Sequence, residues 1–134
     1  MFNFFKKKIS APEFEFIKSY PHKDKYFSRI KKWDWLNAEQ INLFEKDQTG
    51  KIKIITMDYW SQEMFLDADG KITIQEYLNV LVKQFQDSKM KIPKDLDEFM
   101  IETLWSLKTD LSAIEFTNSP IEINSEFKNP ITKK

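Results

Sequence analysis

The clearest alternation of hydrophobic and polar positions lies on either side of residue 50. Ile41 and Leu43 are separated by one polar residue, and the run 51–54 alternates again after a polar, glycine-ended segment at 47–50. A period of two places apolar side chains on one face of a strand, and two such runs joined by a short polar turn are typical of a β-hairpin. The sequence therefore predicts a hairpin whose turn lies at 47–50.

From residue 58 onward the apolar spacing becomes helical. Asp58 is a favourable N-cap for a short helix that ends near Asp67, and Gly70 separates this helix from the next one. A second helix begins at a capping box in which Thr73 and Glu76 each satisfy a backbone donor of the first turn. Its apolar stripe follows helical spacing and consists of Ile74, Tyr77, Leu78, Leu81, Val82 and Phe85.

A third helix is predicted over residues 95–108. It opens with a second capping-box pattern at 95–98, directly after Pro93. Apolar residues cover more than half of its circumference, which predicts burial on more than one side. These residues are Leu96, Phe99, Met100, Leu104 and Leu107, with Ile101 and Trp105 beside them.

Shorter alternating runs predict further strands on both sides of this central part. Two lie before the hairpin, at 13–16 and 31–36, with a loop at 20–25 between them. After the third helix the alternation returns at 113–116 and again at 121–123. The order is thus hairpin, three helices and a returning strand.

This order predicts an α+β fold with a winged-helix-like core. The predicted division is an N-terminal extension with short strands at 1–37, the winged-helix-like core at 38–117 and a polar C-terminal tail at 118–134. The last residues, 124–134, are polar enough to predict a mobile end. The extension is expected either to pack on the core or to lie free of it.

Composition narrows the chemistry that the chain can perform. The 134 residues are 41% hydrophobic and 15% aromatic, which is enough for one packed domain. The chain has no cysteine, which excludes thiol nucleophiles, disulfides and thiolate metal sites. The lack of cysteine is also consistent with the reducing cytoplasm, which is the predicted location. His22 is the single histidine, and two glycines cannot form a phosphate-binding or dinucleotide-binding loop. The sequence predicts no enzymatic activity, no cofactor, no metal and no membrane span.

Charge is balanced over the chain but unevenly placed. There are 21 basic and 21 acidic residues, yet residues 18–32 carry six basic residues against one acid, a net charge of +5. Residues 93–117 carry six acids against two lysines, a net charge of −4. Four of these acids lie on the predicted helix 95–108, where a winged helix would read DNA, and phosphate would repel them. Nucleic acid is therefore disfavoured as a partner.

One segment resembles part of an EF-hand calcium loop. With Gly70 at the sixth position of the loop, Asp67, Asp69 and Glu76 fall at the third, fifth and twelfth positions. The first position is then Phe65, which has no ligand atom. This interpretation makes the chain a degenerate EF-hand-type helical protein with weak or no calcium binding, and it predicts almost no β-structure.

The same segment, Asp-Gly-Lys-Ile-Thr-Ile-Gln-Glu-Tyr at 69–77, resembles the Asp-Gly-x-x-Thr-x-x-Glu segment of PqqD-like proteins. These are small winged-helix-like peptide chaperones, related to domains that recognise leader peptides, and the resemblance covers residues 38–117. In that family a peptide adds to the sheet edge as an extra strand and rests against a helix. By topology, the resemblance implies a receiving edge at 51–57 with the last helix beside it.

The leading hypothesis is a non-catalytic peptide- or protein-binding module that captures a partner at its sheet edge. Its expected binding residues are Lys51, Ile52, Lys53 and Ile54 on the strand, with Met100 and Thr103 on the neighbouring helix. The alternatives are the degenerate EF-hand protein and an interaction or immunity-type protein that meets an acidic partner through its basic N-terminal patch, in which Lys23, Lys25 and Arg29 lie. The identity of the partner and the oligomeric state stay open.

Overall fold

A computed structural model describes residues 10–132 of the chain. These residues form a mixed α+β fold, which confirms the predicted class. A short 3-10 turn at Phe16–Ser19 precedes the first strand. The strands are β1 (Tyr26–Arg29), β2 (Lys32–Trp35), β3 (Ile41–Lys46), β4 (Ile52–Thr56), β5 (Asp69–Thr73) and β6 (Ile114–Thr117). The helices are α1 (Tyr59–Asp67), α2 (Ile74–Asp87), α3 (Leu96–Thr109) and the single turn α4 (Ser125–Lys128).

The strands form two three-stranded antiparallel sheets, in the orders β5-β1-β6 and β2-β3-β4. The predicted hairpin is confirmed as β3 and β4, and the run at 31–36 forms β2. The returning strand β6 pairs with β1, so it lies in a different sheet from the hairpin. Because β1 is the central strand of its sheet, residues 26–29 are an integral part of the fold rather than an appendage at its N-terminus.

Two of the predicted strands are absent from the described part of the chain. Residues 13–15 are irregular and residue 16 begins the 3-10 turn, and residues 121–123 lie in an irregular segment. Conversely, β5 occupies 69–73, where the sequence indicated only a break between helices. Asp and Gly are poor strand formers, so it is the pairing of β5 with β1 that makes this segment extended.

Local capping interactions position the first two helices as predicted. The Asp58 carboxylate accepts a hydrogen bond from the Ser61 N–H at 2.9 Å at the start of α1. At the start of α2 the Thr73 hydroxyl accepts from the Glu76 N–H at 3.1 Å, and the Glu76 carboxylate accepts from the Thr73 N–H at 2.9 Å. This reciprocal pair is the predicted capping box.

The second predicted capping box, at 95–98, is wrong. Asp95 makes no capping bond with its side chain. Asp97 is instead only 2% exposed, and its carboxylate accepts a hydrogen bond from the Ile17 N–H at 3.0 Å. A buried carboxylate needs such donors, so Asp97 joins the 3-10 turn to α3.

The core forms around α3, which packs against α1, α2, β6 and the 3-10 turn. This arrangement explains why the apolar face of α3 is so wide, and it confirms the prediction of burial on several sides. The largest fully buried side chains come from the three long helices and from β1, β3 and β6: Phe27, Ile41, Leu43, Met64, Phe65, Ile74, Tyr77, Leu81, Met100, Leu104, Leu107 and Ile114.

The C-terminal segment is bonded to both sheets as far as residue 132, in contrast to the expected mobile end. The Phe127 carbonyl accepts hydrogen bonds from Arg29 Nε and from the Trp33 indole N–H, each at 2.8 Å. The Ile131 N–H donates to the Trp33 carbonyl at 2.9 Å. These acceptors are backbone groups, so the polar composition of the segment gave no sign of them.

The capping box predicts a measurable loss of stability when its hydroxyl is removed. Thr73→Ala leaves the Glu76 N–H without its partner and should lower the free energy of unfolding by about 1 kcal/mol. Thr103→Ala is the matched control, because that hydroxyl only donates to the Phe99 carbonyl of its own helix. Its expected effect is within about 0.5 kcal/mol. Urea unfolding monitored by circular dichroism measures the free energy of unfolding of both variants. An equal loss of stability in Thr73→Ala and Thr103→Ala would contradict a specific role for the capping box.

Candidate functional site

Strand β4 is the outermost strand of the sheet β2-β3-β4 within residues 10–132. The Asp47 N–H donates to the Lys51 carbonyl at 2.9 Å, which fixes the alternation of the β3–β4 ladder. In an antiparallel pair, every second residue turns its N–H and C=O away from the partner strand. In β4 these residues are Ile52, Ile54 and Thr56, so their backbone groups point outward from the sheet.

The side chains of β4 divide between two faces of the sheet. Ile55 lies opposite Leu43 and packs against the core. Ile52 and Ile54 lie on the other face and are 63% and 59% exposed. Two exposed isoleucines on one strand, next to outward-pointing backbone groups, form a surface suited to pairing with another strand.

A groove lies on this outer face, between the sheet and the C-terminal segment. Its volume is about 650 Å³, and its apolar lining includes Phe44, Ile52, Pro130 and Ile131. Lys46 also lines it. The groove therefore offers apolar contacts directly beside Ile52, on the same face of β4 as Ile54.

The opposite edge of the same sheet is already occupied. Trp33 in β2 accepts a hydrogen bond at its carbonyl from the Ile131 N–H, and the Asp34 carboxylate accepts from the Thr132 N–H at 3.2 Å. The C-terminal segment thus covers part of β2 through one backbone hydrogen bond and through bonds to the Asp34 side chain. Among the described residues, the equivalent groups of β4 have no such cover.

Lysines outnumber carboxylates near the β4 edge, where Glu45 and Glu126 also line the groove. Lys31 Nζ, almost fully buried, forms an ion pair with the Glu45 carboxylate, and this hydrogen bond holds the pKa of Glu45 below its usual value. Within residues 10–132, Lys46, Lys51 and Lys53 take part in no ion pair. The edge therefore presents cationic side chains to a partner.

The structure brings together four of the six predicted binding residues. Lys51, Ile52, Lys53 and Ile54 lie at or beside the open edge. Met100 is 0% exposed, so its side chain offers no surface to a captured strand.

Thr103 bonds within its own helix, and the groove beside Ile52 is lined by the C-terminal segment rather than by α3. The sequence missed Phe44, Pro130 and Ile131, although the apolar pair Pro130-Ile131 in a polar tail was a usable signal.

The predicted calcium ligands serve structural hydrogen bonds instead. Asp67 accepts from the Tyr77 hydroxyl at 2.7 Å, Asp69 accepts from the Lys71 N–H at 3.0 Å, and Glu76 belongs to the capping box. The EF-hand interpretation predicted almost no β-structure, whereas the described residues contain six strands. The segment 69–73 is one of these strands, so it does not form a calcium loop.

The basic residues of 18–32 do not form one exposed patch. Arg29 and Lys31 are buried. Lys18 forms ion pairs with two glutamates, and Lys32 forms one with Glu126 at 3.7 Å. Neutralising Arg29, as a test of a basic binding patch, would therefore disturb the fold itself.

Comparison of the chain with protein-family models, with curated proteins and with solved structures finds no match. None of the helices within residues 10–132 combines the length and the apolar character needed to cross a bilayer. A functional proposal for this chain therefore rests on the geometry of its own residues.

Proposed function

We propose that this protein is a non-catalytic binding module that captures an extended peptide, or an extended segment of a partner protein, at the edge of β4. The observation that carries the proposal is the difference between the two edges of one sheet. The C-terminal segment covers β2, whereas Ile52, Ile54 and Thr56 point their backbone groups outward. A captured strand would satisfy those groups by β-augmentation.

The side chains at this edge favour a particular kind of strand. Next to Ile52 and Ile54, and over the groove, the bound strand would place apolar residues. On its other face it would lie beside Lys51 and Lys53, where acidic residues give favourable cross-strand pairs. The favoured ligand is thus an extended segment in which apolar and acidic residues alternate.

The resemblance to PqqD-like peptide chaperones supports the same mechanism, because strand addition to a sheet edge is how that family holds a peptide. The arrangement over residues 38–117 departs from the predicted core, because β5 lies between α1 and α2 and β6 pairs with β1 rather than with the hairpin. The neighbouring surface differs from the family expectation: here the C-terminal segment, with Pro130 and Ile131, takes the place assigned to the last helix.

A peptide selection followed by amide exchange tests the proposal. Peptides of nine residues selected from a random displayed library on the immobilised full chain should alternate apolar and acidic residues. Binding of a selected peptide should slow hydrogen exchange at Ile52, Ile54 and Thr56. The amides of Lys53 and Ile55, already bonded to β3, should change little. Binding without the protection at 52, 54 and 56 would exclude edge capture.

A pair of substitutions at one position separates the backbone from the side chain. Ile54→Pro removes an N–H that points outward, so the ladder to β3 is retained and proline is tolerated at such an edge. Its affinity for the selected peptide should fall by about tenfold or more. Ile54→Ala keeps the N–H, so its affinity for the peptide should fall by a smaller factor. Fluorescence anisotropy measures both affinities, circular dichroism verifies the fold, and unchanged binding by Ile54→Pro would refute the mechanism.

A further inference from the structure

A second cavity lies between α1 and α2, formed by elements other than the sheet β2-β3-β4. Its volume is about 260 Å³, which is the size of a site for a small molecule rather than for a peptide. Aromatic rings and carboxylates line it together: Tyr59, Trp60 and Phe85 supply rings, and Glu63 and Asp67 supply acids. None of these residues has a role in the binding edge at β4.

Helical spacing explains how these groups come together. Glu63 and Asp67 are four residues apart on α1, so they lie on one face of that helix, one turn from each other. Trp60 lies three residues before Glu63 and shares that face. From α2, Phe85 faces Trp60, with ring centroids 6.1 Å apart and planes inclined by 12°.

Both carboxylates are held in surroundings that favour a positive charge beside them. Burial against the protein raises the pKa of Glu63 and of Asp67, and the negative charge of Asp67 raises the pKa of Glu63 further. Within residues 10–132 neither acid forms an ion pair with a lysine or arginine. The Tyr77 hydroxyl donates to Asp67 at 2.7 Å, and a hydrogen bond with the Gln62 side chain partly offsets the rise in the pKa of Glu63.

Arg29 is the cation whose charge acts on Asp67, but its guanidinium hydrogen bonds go to other groups. The charge of Arg29 lowers the pKa of Asp67, but less than burial raises it. The Arg29 guanidinium donates its hydrogen bonds to four backbone carbonyls instead. The cavity therefore has a negative charge that the described residues do not neutralise by direct contact.

The rings add a second reason for a cation. The electron-rich face of an aromatic ring attracts an ammonium group, and tryptophan and tyrosine do so most strongly. Tyr59 is 64% exposed at the mouth of the cavity, with its ring centroid 5.2 Å from that of Trp60. An apolar ligand would leave the acids unsatisfied, and a metal ion would gain nothing from the rings.

We propose that this cavity binds a small organic cation of the methylated ammonium class. The cationic head lies between the carboxylates of Glu63 and Asp67 and the rings of Tyr59 and Trp60. The methyl groups contact the rings, and the charge is balanced by the acids. This site is independent of peptide capture at β4, so either proposal can fail without the other.

A titration with two isosteric probes tests the charge requirement. Choline is added to the full-length protein, and the indole N–H resonance of Trp60 is followed by NMR. The control probe is 3,3-dimethylbutan-1-ol, which has the same shape with carbon in place of the charged nitrogen. Choline should shift the resonance in a saturable way, and the alcohol should not.

Three variants locate the site. Glu63→Gln removes one charge and should weaken choline binding by at least about threefold, and Tyr59→Leu should weaken it by removing a ring face. Glu102→Gln removes an exposed helical charge on α3, outside the cavity, and should bind choline as the wild type does. An absent or non-saturable shift, an equal response to the alcohol, or unchanged affinity in Glu63→Gln would overturn the proposal.

Discussion

Replacing Arg29 by methionine is expected to lower the free energy of unfolding by about 3–4 kcal/mol. Arg29 is only 8% exposed although it carries a charge. Its guanidinium donates to the carbonyls of Leu66 and Ala68 at the end of α1 and to those of Phe127 and Lys128 in the C-terminal segment, at 2.8 to 3.3 Å. Methionine fills a similar volume but removes the donor that Arg29 supplies to the carbonyls of Leu66 and Lys128. The Ala68 and Phe127 carbonyls keep the Arg29 N–H and the Trp33 indole N–H as donors. Each buried group left unsatisfied costs about 1–3 kcal/mol.

Urea unfolding followed by tryptophan fluorescence measures this effect. Arg29→Lys keeps the charge but loses the planar set of N–H donors of the guanidinium. Its free energy of unfolding should therefore lie between that of the wild type and that of Arg29→Met. Lys71→Met is the matched control, because it removes an exposed ion pair with Glu122 that water screens, so its effect on stability should be small. Equal losses in Arg29→Met and Lys71→Met would show that the buried guanidinium does not hold the C-terminal segment in place.

The second large effect is expected at Gly70, in β5. Gly70 has a φ of +78°, where a side chain is strained, and its carbonyl accepts a hydrogen bond from the Ile121 N–H at 3.1 Å. A Cβ atom at this position would lie 2.9 Å from the Ile121 carbonyl oxygen. Gly70→Ala therefore adds a clash with backbone to the conformational strain, and the expected loss is about 2–4 kcal/mol.

Gly50 supplies the control for the strain alone. It also has a positive φ, +87°, but a Cβ atom there would meet nothing within 4 Å. Gly50→Ala should thus cost about 1 kcal/mol, the penalty for the left-handed conformation. The difference between the two variants in thermal or urea unfolding measures the close approach of residue 121 to β5. If the two losses were equal, that close approach would carry no cost.

The candidate site shows which features the sequence could predict and which it could not. The alternation around 47–50 predicted the hairpin, and the resemblance implied that its second strand, with Ile52 and Ile54, lies at a sheet edge, where the structure also has it. It could not show that the neighbouring wall is the C-terminal segment, because Pro130 and Ile131 approach β4 only after the chain has folded. Topology placed Met100 on the helix expected to lie beside the bound peptide, but its side chain is fully buried in the core and offers no surface.

By itself the sequence determined the local elements: the hairpin, the three long helices, and the caps at Asp58 and Thr73. Each of these follows from interactions between residues at most a few positions apart, such as side-chain periodicity and the hydrogen bonds of a first helical turn. Composition also limited the chemistry, since a chain without cysteine and with one histidine has few catalytic or metal-binding groups.

The tertiary structure decided how the strands divide between two sheets and which sheet edge is left uncovered by residues 10–132. Asp69–Thr73 is a strand because β1 lies beside it, and β6 joins β1 rather than the hairpin. Arg29 anchors the C-terminal segment through backbone carbonyls, which every residue has and no sequence pattern reveals. Strand pairing and the position of the C-terminal segment depend on contacts between distant parts of the chain, which bury apolar surface and satisfy backbone hydrogen-bonding groups. The local pattern of apolar and polar residues does not show which distant segments come together.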